Sequence, residues 1–442
     1  MRPRRHVLRV RQSWLVVILT VSVSAVATAQ TPANPTLVRT IDQERGLDLR
    51  ALIALAQEHS PNLALAEAIV ASAKGREQQA SLRSNPEINV ERREQIGGTD
   101  VATSVGASWM LDNGRRQPRQ AVATADRQAI EWDREDARRV LAAGIRAAYG
   151  EVLAAARQLV TTEAQIATAT TLLGLATERA TTGSGSPVER DQAAVDVSLL
   201  TRQRIRDELR VERGRLVLAE LVGILPSDPL MIRGTLEGAI EELSNRETPH
   251  DAANRADIRA SIARVAAAEA RTRSTQAEAR PNIGVFGQFM SMKSSFPQLG
   301  FSNTGTLVPI GETFHTVSGG VSFMLPWLNR QQGAIAASLA DTTAAARQLD
   351  RTRLDADYQV ALARIRVDKA REAVTLLRDE ALARARANVE VLREAYTLGA
   401  RPLSDVLAEV RRVQQIELEY TDALLEWYRA GVDLRAALGD LN

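Results

Sequence analysis

The residue types that most often do chemistry are scattered along this chain. Its four histidines are His6, His59, His250 and His315, and no pair has the spacing of helical metal ligands. The chain has no cysteine, so it has neither a thiolate metal site nor a disulfide. No glycine-rich phosphate loop follows a predicted strand. The sequence therefore argues against an enzyme and against a bound metal or cofactor.

Two carboxylates next to predicted turns are the best candidates for a charged site. Asp405 follows the turn at 399–402, and Asp191 follows the turn at 182–187. An acidic residue at the start of a helix is favoured by the helix dipole, which is a purely structural interpretation. If three copies of the chain surround one axis, three Asp405 side chains would instead form a ring that favours cations. Both interpretations stay open for Asp405, and the structural one is favoured for Asp191.

An internal repeat produces the elements that position these turns. Residues 105–111 return as residues 319–325, which is 214 positions later, and the two turns are related by the same spacing. The helices that precede the strands repeat at a spacing of 195, which places a 19-residue insertion between Phe289 and Val317. We expect this insertion to form a long loop that contains His315. One unit, used twice, therefore builds nearly the whole chain.

The predicted boundaries between segments of the chain follow from the repeat and from the N-terminal residues. Arginines precede a short apolar run and the small residues Ala27-Thr28-Ala29, as in a secretory signal peptide. A membrane helix is the alternative, but the run is short for a span. We predict a signal peptide at 1–29, an N-terminal extension at 30–46, a first repeat at 47–223, an irregular connector at 224–250 and a second repeat at 251–442.

Each repeat is predicted to contain a helix, a strand hairpin, a very long helix, a tip turn and a shorter returning helix. The first helices are expected as continuous helices at 47–83 and 251–279, and the second very long helix at about 330–398. The hairpins are expected at about 86–111 and 281–325, and the tips at about 182–187 and 399–402. The first long helix, from about 114 to 181, would be about 100 Å long. Its apolar seam repeats every 3.5 residues from Leu141 to Ala176, which indicates a coiled coil. Each long helix could be matched by two shorter helices stacked end to end.

The predicted strands alternate apolar residues with small or polar ones, which fits a soluble sandwich or a membrane barrel equally well. Aromatic residues favour the barrel, because they gather where a membrane interface would lie. Four strands cannot close a barrel, whereas three copies would supply twelve strands around an aqueous lumen. The expected barrel-interface aromatics are Trp109, Phe286, Phe289, Phe323 and Trp327.

This pattern resembles the TolC family of outer-membrane efflux channels over essentially the whole mature chain. Residues 396–407 are similar to the Tyr-x-x-Gly-x-Arg-x-x-x-Asp-Val-Leu element of that family. The resemblance implies a mainly α fold with a small membrane β part: a homotrimer with a long helical coiled-coil barrel and a twelve-stranded β-barrel. It also implies a periplasmic adaptor (membrane fusion protein) and an inner-membrane pump as partners.

The resemblance further implies roles for residues of both tips. Tyr396, Arg401 and Asp405 would belong to the pore constriction and tip gate. Ala408 stands where the drug-exporting archetype has a second acidic residue, so one acidic ring is expected rather than two. The tip turns and possible adaptor contacts are Gly183, Gly185, Pro187, Asp191, Gly399, Pro402 and Leu403.

We therefore predict a passive efflux duct in the cell outer membrane, with a periplasmic helical extension. The cargo could be metal ions, drugs or other small molecules, and the short chain is similar to the CzcC-like metal-efflux branch of the family. The alternative is a soluble periplasmic coiled-coil scaffold or adaptor without a pore. Basic and acidic side chains nearly cancel, at 56 and 54, so a nucleic-acid partner is not expected.

Overall fold

The computed structural model describes residues 34–98, 100–245 and 254–440. The predicted signal peptide, the first residues of the predicted extension, the end of the predicted connector, His6 and His250 lie outside the described residues. Within the described ranges, no helix is both long enough and apolar enough to cross a membrane.

Ten α-helices and four strands make up the described part of the chain, which confirms the prediction of a mainly α fold with a small β part. The helices are α1 Pro35–Thr40, α2 Leu49–His59, α3 Pro61–Ser81, α4 Arg116–Thr181, α5 Pro187–Val222, α6 Leu236–Asn245, α7 Ala256–Glu278, α8 Gln332–Leu376, α9 Ala383–Thr397 and α10 Leu403–Ala437. The strands are β1 Glu87–Glu94, β2 Val101–Leu111, β3 Asn282–Phe301 and β4 Leu307–Met324.

Helix α4 is the longest helix of the first repeat. It has 66 residues, which gives a length of about 99 Å. It packs against α3 and α7 near the sheet and against α5 and α10 farther away. The predicted seam is buried where these helices meet, with Ile145, Val152 and Leu159 fully inaccessible to solvent. Burial of this seam holds the hairpin of helices together.

The helix that leads into β1 is broken, so the prediction of one continuous helix from 47 to 83 was wrong. Ser60 has an extended backbone, and Pro61 starts α3 at a position that needs no helical N–H donor. The break meets the end of α5, where Gly223 has a left-handed backbone with φ of 86°. A Cβ at Gly223 would lie 2.3 Å from the carbonyl oxygen of His59, so only glycine fits this junction.

Two further parts of the prediction are corrected by the structure. The connector was predicted to be irregular, but it contains α6, and Ile232 pairs with Ile41 and Leu47 of the N-terminal segment. The second long helix was predicted to be continuous, but a π-helical turn at Leu377–Leu382 separates α8 from α9. Helix α4 has no such turn, so the two repeats differ here.

The four strands form one antiparallel sheet in the order β1-β2-β3-β4. The 19-residue insertion was predicted to form a long loop, but it lengthens the second hairpin instead. Strands β3 and β4 have 20 and 18 residues, against 8 and 11 for β1 and β2. His315, which we placed in that loop, lies in β4, and its ring stacks on Phe289 at 5.8 Å between centroids.

Candidate pore tip and sheet faces

The two predicted tips lie side by side at the end of the helices, far from the sheet. Gly183 and Gly399 both have left-handed backbones, with φ of 73° and 75°. This conformation turns each chain back after its long helix, and glycine adopts it without steric cost. Pro187 then begins α5, and Pro402 immediately precedes α10. The predicted turn residues thus have clear structural roles in both tips.

Arg179, in the last turn of α4, joins the first tip to the second. Its guanidinium carbon lies 4.5 Å from the centre of the Tyr396 ring, and its Nη1 donates to the Tyr396 carbonyl oxygen at 2.7 Å. The cation–π contact and the hydrogen bond therefore both join Arg179 to Tyr396. Gly185 is small because a Cβ there would lie 2.9 Å from the Cβ of Arg179.

Tyr396 is buried beneath this arginine. Only 2% of its surface is exposed, and burial raises the pKa of its phenol. Its ring belongs to a small apolar core that fills the tip between the two helical hairpins. The buried members of this tip core are Leu172, Ala176, Ala193, Tyr396, Leu403, Val406 and Leu407.

Glu189 makes a second link between the tips. Its Oε1 accepts a hydrogen bond from the backbone N–H of Leu403 at 3.3 Å, at the start of α10. The carboxylate therefore caps a helix of the other repeat. Leu403 itself is fully buried in the tip core. Our expectation that its side chain contacts an adaptor is not supported, because the tip core already covers that side chain.

Arg401 and Asp405 lie together on the outside of the tip. Arg401 Nη1 is 3.6 Å from Asp405 Oδ2, one helical turn away, and both side chains are partly exposed. Asp405 is also in the first turn of α10, as the structural interpretation requires. The structure thus separates the three predicted gate residues into an exposed ion pair and a buried tyrosine.

Asp191 has a different setting from its counterpart in the second repeat. Its Oδ1 accepts from Arg190 Nη2 at 2.7 Å, and about two thirds of its side chain is exposed. This partner is its own neighbour in sequence rather than a residue of the turn. Among the described residues, no group of histidines or carboxylates could hold a metal ion.

The register of the sheet defines two faces of different chemistry. The apolar face consists of Ile88, Val90, Val105, Ala107, Trp109, Leu111, Ile283, Val285, Phe289, Val317, Val321 and Phe323. The opposite face, which we call the inner face, includes Glu87, Asn89, Glu91, Ser104, Ser108, Gln288, Thr316, Ser318 and Ser322. The apolar face is largely uncovered in the single chain, as the exposure of Val317 shows at 82%.

Three of the five predicted interface aromatics lie on the apolar face, namely Trp109, Phe289 and Phe323. Trp327 follows β4 at the joint to α8 and is exposed. Phe286 was assigned wrongly: it pairs with Ser108 and Gly320 and so lies on the inner face. Side chains along a strand alternate between the two faces of the sheet, so Phe286 and Phe289, which are three positions apart, lie on opposite faces.

Sequence reasoning missed Arg179 and Glu189, the two residues that join the tips. Arg179 precedes the first turn and Glu189 follows it. We compared the two turns only at Gly185 and Asp191 and at their counterparts Gly399 and Asp405. The sequence contained a signal for Arg179, because the second repeat also has an arginine, Arg393, at the corresponding position 214 residues later. Comparison of the last helical turns would have drawn attention to this position.

The chain was compared with known proteins. The family model "Outer membrane efflux protein" matches residues 52–223 and 250–440. The pyoverdine export outer membrane protein OpmQ of Pseudomonas putida is 25% identical over 424 residues, which cover 89% of this chain and 86% of OpmQ.

Solved structures of low sequence identity share the fold. A structure of CusC gives a TM-score of 0.76 at 18% identity, covering 91% of this chain and 96% of CusC. The outer-membrane channel OprN gives 0.69 at 18% identity, covering 92% and 95%. The outer membrane protein VceC of Vibrio cholerae gives 0.69 at 19% identity, covering 88% and 96%.

Proposed function

The chain belongs to the outer membrane efflux protein family, and from this premise we propose that three copies form a passive exit duct for small molecules or ions. Family membership makes it an outer-membrane transport protein with a periplasmic helical part rather than an enzyme. The trimer, the cargo, the gate and the partners are parts of the proposal.

The observation that carries the proposal is a sheet with two open edges and one exposed apolar face. Strands β1 and β4 each have a neighbour on one side only, among the described residues. In a membrane, unpaired edge groups cost several kilocalories per mole each, so the edges must meet other strands. Three copies joined from β4 to the next β1 would form a closed barrel of twelve strands with the apolar face outward.

The inner face would then line an aqueous lumen that continues between the long helices. Helix α4 alone is about 99 Å long, enough to carry a duct well away from the membrane. The scaffold alternative leaves the exposed apolar face of the sheet without a function. OpmQ is named for pyoverdine export, which supports an export role without identifying the cargo of this chain.

We place the gate of the duct at the tip. Asp405 and Arg401 would face their symmetry mates near the threefold axis, and three Asp405 carboxylates would favour cations there. Tyr396 would act indirectly, by holding the tip core against Arg179. Exposed tip residues such as Gly183, Asp191 and Pro402 would be available to a periplasmic adaptor, which would in turn connect to an inner-membrane pump.

Reconstitution of the purified chain tests this function. We expect heat-modifiable trimers in outer-membrane fractions, a trimeric mass by native mass spectrometry and ion conductance in planar bilayers. A monomer recovered from osmotic shock fluid that conducts no ions would contradict the duct and favour the scaffold.

A further inference from the structure

The inner face of β3 and β4 carries a line of apolar side chains, interspersed with polar ones such as Gln288, Ser318 and Glu312, that a simple aqueous duct does not require. Inner-face residues of β1 and β2 are mostly charged, small or hydroxylated, as with Glu91 and Ser104. Those of β3 and β4 include thioethers, aromatic rings and branched aliphatic chains. The lumen strip consists of Met110, Phe286, Met290, Met292, Val308, Ile310, Phe314 and Met324.

Three members of the lumen strip are immediate neighbours. Met290 and Met292 are two residues apart on β3, so they project from the same face about 7 Å apart. Met292 is paired across the strands with Phe314, a distance at which side chains touch. These three residues lie near the middle of β3 and β4.

The use of methionine in this chain is concentrated on the lumen strip. The chain has six methionines, and four of them belong to the strip, while Met231 lies in the connector and Met1 is outside the described residues. Phe314 remains 46% exposed and Met324 68% exposed. Exposed apolar groups that follow one line usually mark a surface that contacts a ligand or partner.

We propose that the lumen strip is the surface along which amphipathic organic cargo slides through the barrel. This inference rests on the proposed duct. Methionine adapts its shape to varied apolar groups, and phenylalanine stacks on aromatic ones. Three strips would alternate with three polar walls made by β1 and β2, so the polar groups of the cargo would stay hydrated.

The composition of the strip favours organic cargo over a soft metal ion. Thioethers can bind soft cations, but a path for such ions needs sulfur ligands in succession. Here Phe286, Ile310 and Phe314 interrupt the methionines. The strip residues themselves offer a hydrated hard cation no ligand, and a single carboxylate, Glu312, lies between Ile310 and Phe314 on this face of β4.

Methyl NMR of the trimer tests the proposal directly. The full mature chain, labelled with 13C-methyl methionine in lipid nanodiscs, is titrated with benzyltrimethylammonium, tetramethylammonium or Ag⁺. We expect benzyltrimethylammonium to shift the Met290 and Met292 signals, with tetramethylammonium much weaker and Met231 unmoved. Phe314→Ser should raise the midpoint of the titration about fivefold, which the remaining methionine signals report. The double variant Asn89→Ala/Ser108→Ala, on the polar wall, should keep the wild-type midpoint.

The other outcomes overturn the proposal. Equal shifts from both ammonium ions would mean that charge, not the ring, is recognised, and shifts from Ag⁺ alone would indicate a soft-ion path. Planar-bilayer recordings of the same preparation separate the two levels of inference. If the trimer conducts ions but benzyltrimethylammonium does not shift the methionine methyl signals of the lumen strip, the proposed cargo surface is excluded and the duct is not. If the chain forms no trimers and conducts no ions, the duct itself is excluded.

Discussion

A buried carboxylate links α4 and α5 between the tip and the sheet. Asp207 is fully inaccessible to solvent, and it accepts hydrogen bonds from Thr162 Oγ1 at 2.7 Å and Gln203 Nε2 at 2.9 Å. Burial raises the pKa of Asp207 above its usual value, and the two hydrogen bonds only partly offset this effect. A polar group at such a position fixes the register of two helices at a cost in stability.

This cost should depend on pH. A raised pKa in the folded protein means that the fold loses stability as pH rises from the unfolded value, near 3.8, through the folded one. Asp207→Asn removes the titration. The melting temperature of the variant minus that of wild type should therefore increase as the pH rises from 4 to 7. Circular dichroism at 222 nm measures both proteins, with Asp228→Asn at an exposed connector position as the control. A difference that stays constant across this range would show that Asp207 does not titrate there.

Arg179 should hold the tip closed through Tyr396. Replacing it with alanine removes a cation–π contact worth about 0.5–2 kcal/mol and a hydrogen bond worth about 1 kcal/mol. We expect hydrogen exchange at the amides of 398–401 to become about tenfold faster or more, as measured by mass spectrometry. Arg190→Ala is the matched control, because that arginine pairs only with adjacent Asp191 in the described contacts. Equal exchange in both variants would argue against the link.

At the scale of elements, the junction between α2, α3 and α5 should be highly sensitive to substitution. Gly223→Ala places a Cβ 2.3 Å from a backbone oxygen at a left-handed position, which should cost about 1–3 kcal/mol. Gly174→Ala, in α4 with open space around it, should instead stabilise the helix by about 0.5–1 kcal/mol. Thermal melting of the two variants gives the comparison, and a stable Gly223→Ala protein would mean that the junction relaxes easily.

The elements also show which features the sequence could predict. The long α4, the tips and the strand positions follow from periodicity and turn residues, which act locally. The break at Pro61 and the inner-face position of Phe286 were readable from local rules, but we overlooked them. The π-helical turn at Leu377–Leu382 was not readable, since nothing in its residue types distinguishes it from an ordinary helix. It packs against α10, so its conformation depends on a tertiary contact.

At the scale of the whole molecule, the two repeats have the same plan but different tips. The first tip has an aspartate paired with its neighbour Arg190, and it supplies Arg179 and Glu189 to the other tip. The second tip receives both contacts and presents Arg401 and Asp405 outward. Duplication therefore gave each chain two hairpins, and divergence made the first hairpin a support and the second a candidate gate.

This asymmetry predicts unequal effects of equivalent substitutions. Asp405→Ala should raise single-channel conductance and lower the preference for K⁺ over Cl⁻ in planar bilayers, because it removes three carboxylates from the constriction. Asp191→Ala, at the corresponding position of the first repeat, should leave both quantities unchanged, because we place the gate in the second tip. Equal changes in the two variants would place the gate in both tips. No change in either would show that the pore is narrowest elsewhere, and Asp405 would then be only a first-turn residue of α10.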